Sequence, residues 1–484
     1  MSNSNIKNLL VDHNETIRNA LKKINLSGLK VCFLVKNNKL KNVISDGDIR
    51  RSLLKSLELS DKVKYVKSKK FIYVQENYDF LDLQNKISKY GIVPILNKKG
   101  HVIDYANEKR IRQIPQSEPL LKGNELKYIS DTIKSGWISS RGKYVNMFEK
   151  KFSSFVKNNY CLSTSSGTTA LQLAISTLKL KQGDEIIVPD YTFVSPINSI
   201  IHSKCKAVLA DIDPDTLCIS YDSIKKITNK NTRAIIIVHL YGNSPDLEKV
   251  LSFCKKRKIS VIEDCAEAFG TKYKNKHVGN FGDFGTFSFF GNKTISTGEG
   301  GMIIFRDKKK YELAKKLRDH GMNQQKKYWH DEIGFNFRLT NMQAAIGCAQ
   351  LENANSFIKK KISIQRKYES KLKKIKYLIF PSPKKYYINS HWLSYMKINP
   401  KIKDAKKLRD DLVYYLNQKG VEIRTGFYSA HLMDIYKNSK SKKINYKNSK
   451  QISNSIITLP SSVNLKDKEI NYICNLILNY KLIK

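Results

Sequence analysis

The chain has 484 residues, 41% hydrophobic and 27% charged, which suits a folded protein of two to four domains and excludes collagen-like, disulfide-scaffold and wholly disordered classes. Its charge is unusual: 87 basic against 43 acidic residues give a net +44, an excess that first suggests nucleic acid or an anionic membrane surface. Only 14 of the basic residues are arginines, whose planar fork reads phosphates and bases, and the lysines are scattered, so solvated faces and no nucleic-acid partner are expected.

The N-terminus, MSNSNIKNLL, is polar and lacks a signal-peptide core. No apolar run approaches the ~20 residues of a membrane span, so a cytoplasmic protein with no membrane partner is expected. Short strands are predicted at Val31–Val35 and Val43-Ile44 around an Asn37-Asn38 turn, and Asp46-Gly47-Asp48 opens a helix. A weaker copy follows: a helix near Phe80–Ile87, a strand at Ile92–Leu96, a turn at Asn97–Gly100 and a strand at His101–Ile103. Two β-β-α units of about 60 residues suggest an internal repeat.

The stretch Val43-Ile44-Ser45-Asp46-Gly47-Asp48-Ile49-Arg50-Arg51 resembles the ligand loop of a CBS domain. The resemblance implies that residues 1–112 are a CBS-domain pair with a regulatory or docking role. It also implies that Ser45 and Asp48 contact an adenine nucleotide. The second copy has Asp104 and Asn107 at the matching positions and loses the pattern.

Ile114-Pro115-Gln116-Ser117-Glu118-Pro119 reads as a linker. Beyond it, helices alternate with short apolar strands at Glu185–Val188, Ala207–Ala210, Ala234–His239, Ser260–Ile262, Gly285–Phe289 and Met302–Phe305. That is the pattern of an α/β domain with a mostly parallel sheet covered on both faces. Several of the eight cysteines fall in these runs, and none forms a CxxC pair, so they read as reduced, buried thiols with no disulfide and no metal site. From about Lys359 the chain turns Lys-rich and helical, then α+β to its end.

Three segments carry chemistry. Ser163-Thr164-Ser165-Ser166-Gly167-Thr168-Thr169-Ala170 precedes an amphipathic helix, and small hydroxyl residues with a Gly at a helix start present free N–H groups to an anion. Val261-Ile262-Glu263-Asp264-Cys265-Ala266-Glu267 places an acid at the carboxyl end of an apolar strand, where open α/β sheets bind ligands. Phe287-Ser288-Phe289-Phe290-Gly291-Asn292-Lys293 ends a strand in one lysine, followed by a Gly-rich turn; a low-dielectric pocket disfavours its charged form and makes the amine a nucleophile.

In this order and spacing, these segments resemble the DegT/DnrJ/StrS sugar aminotransferases, which depend on pyridoxal 5'-phosphate. Further likeness lies at Gly136–Ser140, Pro189–Val194, Val238–Gly242, Gly334–Asn341 and Leu459–Leu465. The resemblance implies a fold-type-I aminotransferase: a large cofactor domain at 113–365 and a small C-terminal α+β domain at 366–484. It implies that Lys293 bonds the cofactor and acts as acid and base. Asp264 would pair with the ring nitrogen, Glu267 lie near the phenolic oxygen, and Phe193 stack on the ring. Gly167, Thr168 and Ser288 would hold the phosphate, with Asn336 reaching it from a homodimer partner. His320 and Arg338 fall in segments that line the substrate pocket. The Gly-Asn-Lys-Thr-Ile turn resembles the GDP-perosamine synthases within the family, so the expected reaction moves an amino group from glutamate to C4 of GDP-4-keto-6-deoxymannose for surface polysaccharide synthesis. The alternatives are a UDP- or dTDP-linked keto sugar, a dehydration in place of amino transfer, and a non-catalytic sugar- or nucleotide-sensing protein.

Overall fold

The computed structural model describes residues 6–68, 71–108, 110–111, 113–323, 325–382 and 384–480. They divide into two compact units: one up to Ile114 together with 417–421, the other spanning 115–416 and 422–484. Residue 112, the expected end of the first module, lies outside the described residues.

The first unit repeats one pattern. β1 (Leu10–Asp12), α1 (Ile17–Ser27), β2 (Val31–Lys36) and β3 (Lys39–Ser45) lead into α2 (Asp46–Leu53); β4 (Val74–Gln75), α3 (Phe80–Tyr90), β5 (Ile92–Leu96) and β6 (Val102–Asn107) repeat the first four elements. Each repeat forms a three-stranded sheet whose first strand runs parallel to the second and whose third is antiparallel. The repeat is therefore β-α-β-β where the residue pattern suggests β-β-α. Strands of three and two residues are too short for an alternation to show. Asn37 and Asn38 both take positive φ, 49° and 61°, as a tight two-residue hairpin requires. Ile17, Ala20 and Ile24 of α1 bury against Cys32, Leu34 and Ile44. Residues 417–421 belong to this unit because Ile114 bridges Val421 and its N–H donates to Gly420 O at 2.9 Å.

Ser45 and Asp48 close the start of α2. Asp48 N–H donates to Ser45 Oγ, and Asp48 Oδ2 accepts from Ser45 N–H and Oγ at 2.9 and 2.6 Å. Arg51 also donates to Asp48. Burial alone would raise the Asp48 carboxyl, but the bonds from Ser45 and Arg51 hold it below its ordinary range.

The second unit opens with α4 (Glu125–Ser135) and α5 (Lys143–Val156). Then β7 (Cys161–Thr164), α6 (Gly167–Thr177), β8 (Glu185–Pro189), α7 (Ser195–His202), β9 (Lys206–Ala210), α8 (Tyr221–Ile227), β10 (Thr232–Val238), α9 (Leu247–Lys256) and β11 (Ser260–Asp264) alternate. A hairpin, β12 (Lys272–Tyr273) and β13 (Lys276–His277), precedes β14 (Phe284–Ser288), β15 (Gly301–Phe305) and α10 (Lys308–Arg318). The large sheet has seven strands in the order β7-β15-β14-β11-β10-β8-β9. Its β14–β11–β10–β8–β9 neighbours are parallel, and β15 is antiparallel to both β14 and β7. Ile186 to Val188 and Ala234 to Ile237 are fully buried, so helices cover both faces, as the apolar runs require.

α11 (Asn341–Glu352) and α12 (Ala354–Leu372) lead out of the sheet region. α12 runs through residue 365, where the large and small parts are expected to divide. β16 (Leu378–Ile379), β17 (Tyr387–Ile388), β18 (Ser394–Ile398), α13 (Ala405–Gln418), β19 (Arg424–Thr425), α14 (Lys447–Ser453), β20 (Ile456–Leu459) and α15 (Asp467–Leu478) follow. β16, β18, β20 and β19 make an antiparallel sheet in that order. All eight cysteines are buried and free. Among the described residues, no helix is long and apolar enough to cross a membrane.

Candidate active site

β10, β11 and β14 end at the same edge of the sheet, with Val238 in register with Asp264, and Asp264 with Thr286. β7 points the same way, because β15 between it and β14 runs opposite to both. Carboxyl ends of strands and the amino end of α6 therefore meet around one cavity of about 430 Å³. Gly167, Thr168, Phe193, Asp264, Glu267, Ser288 and Lys293 all line it, although they span 127 positions of the chain.

α6 begins where Ser166 and Thr169 form a reciprocal capping box, which leaves its other leading N–H groups open to a ligand. Gly167 is required there by space: a Cβ would lie 2.8 Å from Ser288 Cβ. The Thr168 and Ser195 hydroxyls meet at 2.7 Å. The small residues, the helix dipole and Ser288 make one end of the cavity fit for an anion.

Asp264 stands across the sheet edge and accepts from Ala266 N–H at 3.0 Å. Burial raises its carboxyl above the ordinary range, against the Ala266 N–H, Lys293 and His239. The strand beneath is braced by a fully buried pair: His239 Nε2 lies 2.9 Å from Glu263 Oε2, and Glu263 also accepts from the N–H groups of Gly279, Phe281 and Gly282. His239 N–H donates to Asp264 O at 3.0 Å. His239, Glu263 and Cys265 lie close together, but these bonds already occupy the Glu263 oxygens.

Lys293 sits on a turn pinned at both ends: Lys293 N–H donates to Phe290 O and Thr297 N–H to Phe289 O, each at 2.9 Å. Its Nζ lies 3.9 Å from Glu267 Oε1 and 3.8 Å from the centroid of the Trp392 ring. Burial lowers the proton affinity of the amine, against the pull of Glu267 and Asp264. Burial likewise pushes Glu267 up to about 7, although Lys293 and the Tyr241 N–H oppose it; the Tyr241 bond is 3.0 Å.

Trp392, Tyr241 and Arg424 also line the cavity, and the residue pattern does not mark them as site residues. Tyr241 stacks on Phe427 and Trp392. Trp392 and Arg424 come from the antiparallel part of the unit, where no local signal announces them.

Asn336, Arg338 and His320 do not line this cavity. They gather around Asp319, which bridges Asn336; Arg338 donates to Asp319 Oδ1 at 2.6 Å and to Asn336 Oδ1 at 3.1 Å. His320 N–H donates to Phe335 O at 2.8 Å.

The cavity fits pyridoxal 5'-phosphate. It offers an anion cradle that a Cβ would fill, a buried carboxyl for a protonated ring nitrogen and a buried amine for the carbonyl. Among the described residues, Thr192 Oγ1 and Asn292 Oδ1 are buried on its wall with no protein partner, as polar groups meant for a polar ligand would be. This fold and site define a pyridoxal-phosphate-dependent aminotransferase. The chain belongs to the DegT/DnrJ/EryC1/StrS aminotransferase family, which it matches over residues 119–478.

A GDP-perosamine synthase from Vibrio cholerae is 40% identical over 367 residues, 76% of this chain and 99% of the relative. The solved aminotransferase PseC of Helicobacter pylori, involved in pseudoaminic acid biosynthesis, superposes with a TM-score of 0.72 at 26% identity, covering 76% of this chain and 98% of that one. An Escherichia coli GDP-4-keto-6-deoxy-D-mannose-3-dehydratase with bound hydrated PLP superposes at 0.70 with 27% identity, covering 76% and 100%.

Proposed function

We propose that the chain transfers the amino group of glutamate to C4 of GDP-4-keto-6-deoxymannose, yielding GDP-perosamine and 2-oxoglutarate for surface polysaccharide synthesis. The observation that carries this reading is 40% identity over nearly the whole length of a GDP-perosamine synthase. When bound, pyridoxal 5'-phosphate supplies the electron sink that lets one amino group pass between two substrates.

In this reading Lys293 bonds the cofactor and moves a proton between cofactor and substrate carbons, a task suited to a buried amine of lowered proton affinity. Asp264 holds the ring nitrogen protonated, and Glu267 faces the phenolic oxygen. Phe193 packs on the ring, while Gly167, Thr168 and Ser288 hold the phosphate. Asn336, Arg338 and His320 stand away from the cavity of their own chain, which supports a homodimer in which they complete the partner's site: Asn336 at the phosphate, Arg338 and His320 toward the sugar nucleotide. Lys293 offers an amine able to bond the cofactor, which favours amino transfer over dehydration. The reaction belongs in the cytoplasm, where nucleotide sugars and glutamate are both present.

The three-part organisation (1–112, 113–365, 366–484) is part of the same proposal, with the first part a CBS-domain pair. The matched β-α-β-β units and their identical sheet orders support it. An adenine nucleotide would bind at Ser45 and Asp48 by displacing the exposed Arg51 guanidinium. Calorimetric titration with ATP and AMP should show one site per chain, lost in Asp48→Ala.

The activity is tested by incubating the protein with glutamate and GDP-, UDP- and dTDP-linked 4-keto sugars and identifying products by mass. An amino sugar on GDP alone is expected. Amination of only a UDP or dTDP sugar refutes the nucleotide, and loss of water without nitrogen gain refutes the reaction.

A further inference from the structure

One face of α12 reaches the wall of the cavity through polar side chains. Lys361, Gln365 and Tyr368 stand a turn apart on that face, and all three are buried. Each bonds main-chain groups of the antiparallel part. Gln365 Oε1 accepts from Tyr395 N–H at 3.1 Å, and Tyr368 OH donates to Pro460 O at 3.0 Å. Lys361 Nζ donates to Trp392 O at 2.9 Å and to Ser461 O at 3.0 Å.

Lys361 is the anomalous member. A fully buried lysine ordinarily carries a carboxylate partner, yet its bonds here run to two carbonyls. Burial, with the charge of Lys293 beside it, pushes the amine down to about 7. A leucine would fill the same space without that cost, so the two bonds are what the position provides.

Those bonds lead to the reacting lysine. Trp392, whose carbonyl Lys361 holds, donates its indole Nε1–H to Asn292 O at 2.8 Å and lays its ring 3.8 Å from Lys293 Nζ. Ser461, the other acceptor, donates its N–H to Gln116 O at 2.7 Å, and its hydroxyl accepts from Ser394 N–H at 2.7 Å. Asn292, Trp392 and Gln116 all line the cavity. One amine thus ties two loops that carry its wall, and freeing both carbonyls would release the indole that confines Lys293.

We propose that Lys361 is a positioning residue: by tying the Trp392 and Ser461 carbonyls it holds the Trp392 indole across Lys293 and keeps the reacting amine aimed. This rests on the reading of Lys293 as the lysine that bonds the cofactor. Misplacement of a reacting group by a fraction of an ångström costs rate more than binding.

The test compares cofactor-loaded wild type with Lys361→Met, Lys361→Arg and Lys293→Ala. Three readouts are taken: the peptide labelled by borohydride reduction, the pH midpoint of the bound cofactor's absorbance, and kcat and KM for both substrates. Lys361→Met keeps the stem and removes the amine, leaving the Trp392 and Ser461 carbonyls without that donor, so some loss of melting temperature is expected as well. It should still label the Lys293 peptide, shift the absorbance midpoint by about half a unit or more, and lower kcat about tenfold with both KM values within about twofold. Lys361→Arg, which retains donors for both carbonyls, should recover most of kcat. A Lys361→Met protein with wild-type midpoint and kcat, differing only in melting temperature, overturns the proposal. Should Lys361→Met not fold, Trp392→Phe removes the Asn292 bond and must shift the midpoint and kcat in the same way; unchanged values there also overturn it. The underlying reading fails separately, if Lys293→Ala still yields a reduced cofactor adduct.

Discussion

Lys293 Nζ lies 3.9 Å from Glu267 Oε1, and in this buried pair the amine is pushed down and the carboxyl up. Burial disfavours the charged form of each, and the charge of each opposes the other's shift.

The Glu267 shift sets a pH dependence. Its carboxyl has an ordinary value of 4.5 and reaches about 7 in the folded chain. Between those values the folded chain holds a proton that the unfolded chain releases. Stability therefore falls as pH rises through the window, by about 3 kcal/mol in all. Cofactor-free Glu267→Gln keeps the shape and removes the titration. Its melting temperature should gain a few degrees on wild type from about pH 5 to about pH 8. Parallel curves for the two proteins would show that Glu267 titrates normally.

Asp264→Asn should damage turnover more than cofactor retention. Losing the anion removes the charge that holds a ring nitrogen protonated, while the cradle at Gly167 and Ser288 is untouched. We expect kcat to fall about a hundredfold or more and cofactor affinity to fall less than about tenfold. Near-wild-type kcat refutes the role.

Gly167→Ala places a Cβ where Ser288 Cβ would stand 2.8 Å away. The cradle must open, and cofactor affinity should fall at least about tenfold, or about 1.4 kcal/mol. Ser288→Gly in the same chain makes room but also removes a hydroxyl assigned to the phosphate, so it should recover only a small part of the loss. Equilibrium titration of the cofactor's absorbance measures both, and an unaltered affinity in Gly167→Ala places the phosphate elsewhere.

Mixing Lys293→Ala with Asn336→Ala protein tests whether sites are shared. If Asn336 completes the partner's cavity, one site of each hybrid dimer bears neither change, and activity should rise above both parents toward a quarter of wild type for random exchange, since half the dimers are then hybrid. No recovery, with exchange shown by mass, means that each chain completes its own site.

The cavity-lining residues legible in the amino-acid sequence share a physical property. Asp264 and Ser288 end apolar strands, Gly167 opens a capped helix, and Lys293 follows a strand into a Gly-rich turn. Local chemistry marks each one: an apolar run says strand, its polar end says sheet edge, and the edge of a parallel sheet is where ligands sit. The large sheet's parallel strands are legible for the same reason, since each is buried on both faces and reads as a continuous apolar run. β1 and β4 escape that logic because three and two residues carry no period, and with them the β-α-β-β order of the N-terminal repeat stays hidden.

The tertiary structure alone decides which distant groups face these residues. Trp392 reaches Lys293 from 99 positions away, through a loop whose carbonyl is held by a lysine of α12. Lys361 itself lies in the Lys-rich stretch that begins near Lys359, whose lysines are expected on solvated faces. Lys361 is buried because the face it shares with Gln365 and Tyr368 turns toward the antiparallel part, whereas Lys359 stays at the surface. Hydrophobic periodicity reports where a side chain is expected to point only when its polarity matches its surroundings. A lysine committed to two buried carbonyls breaks that match, and strand pairing and helix packing across about a hundred residues leave no trace in the local pattern.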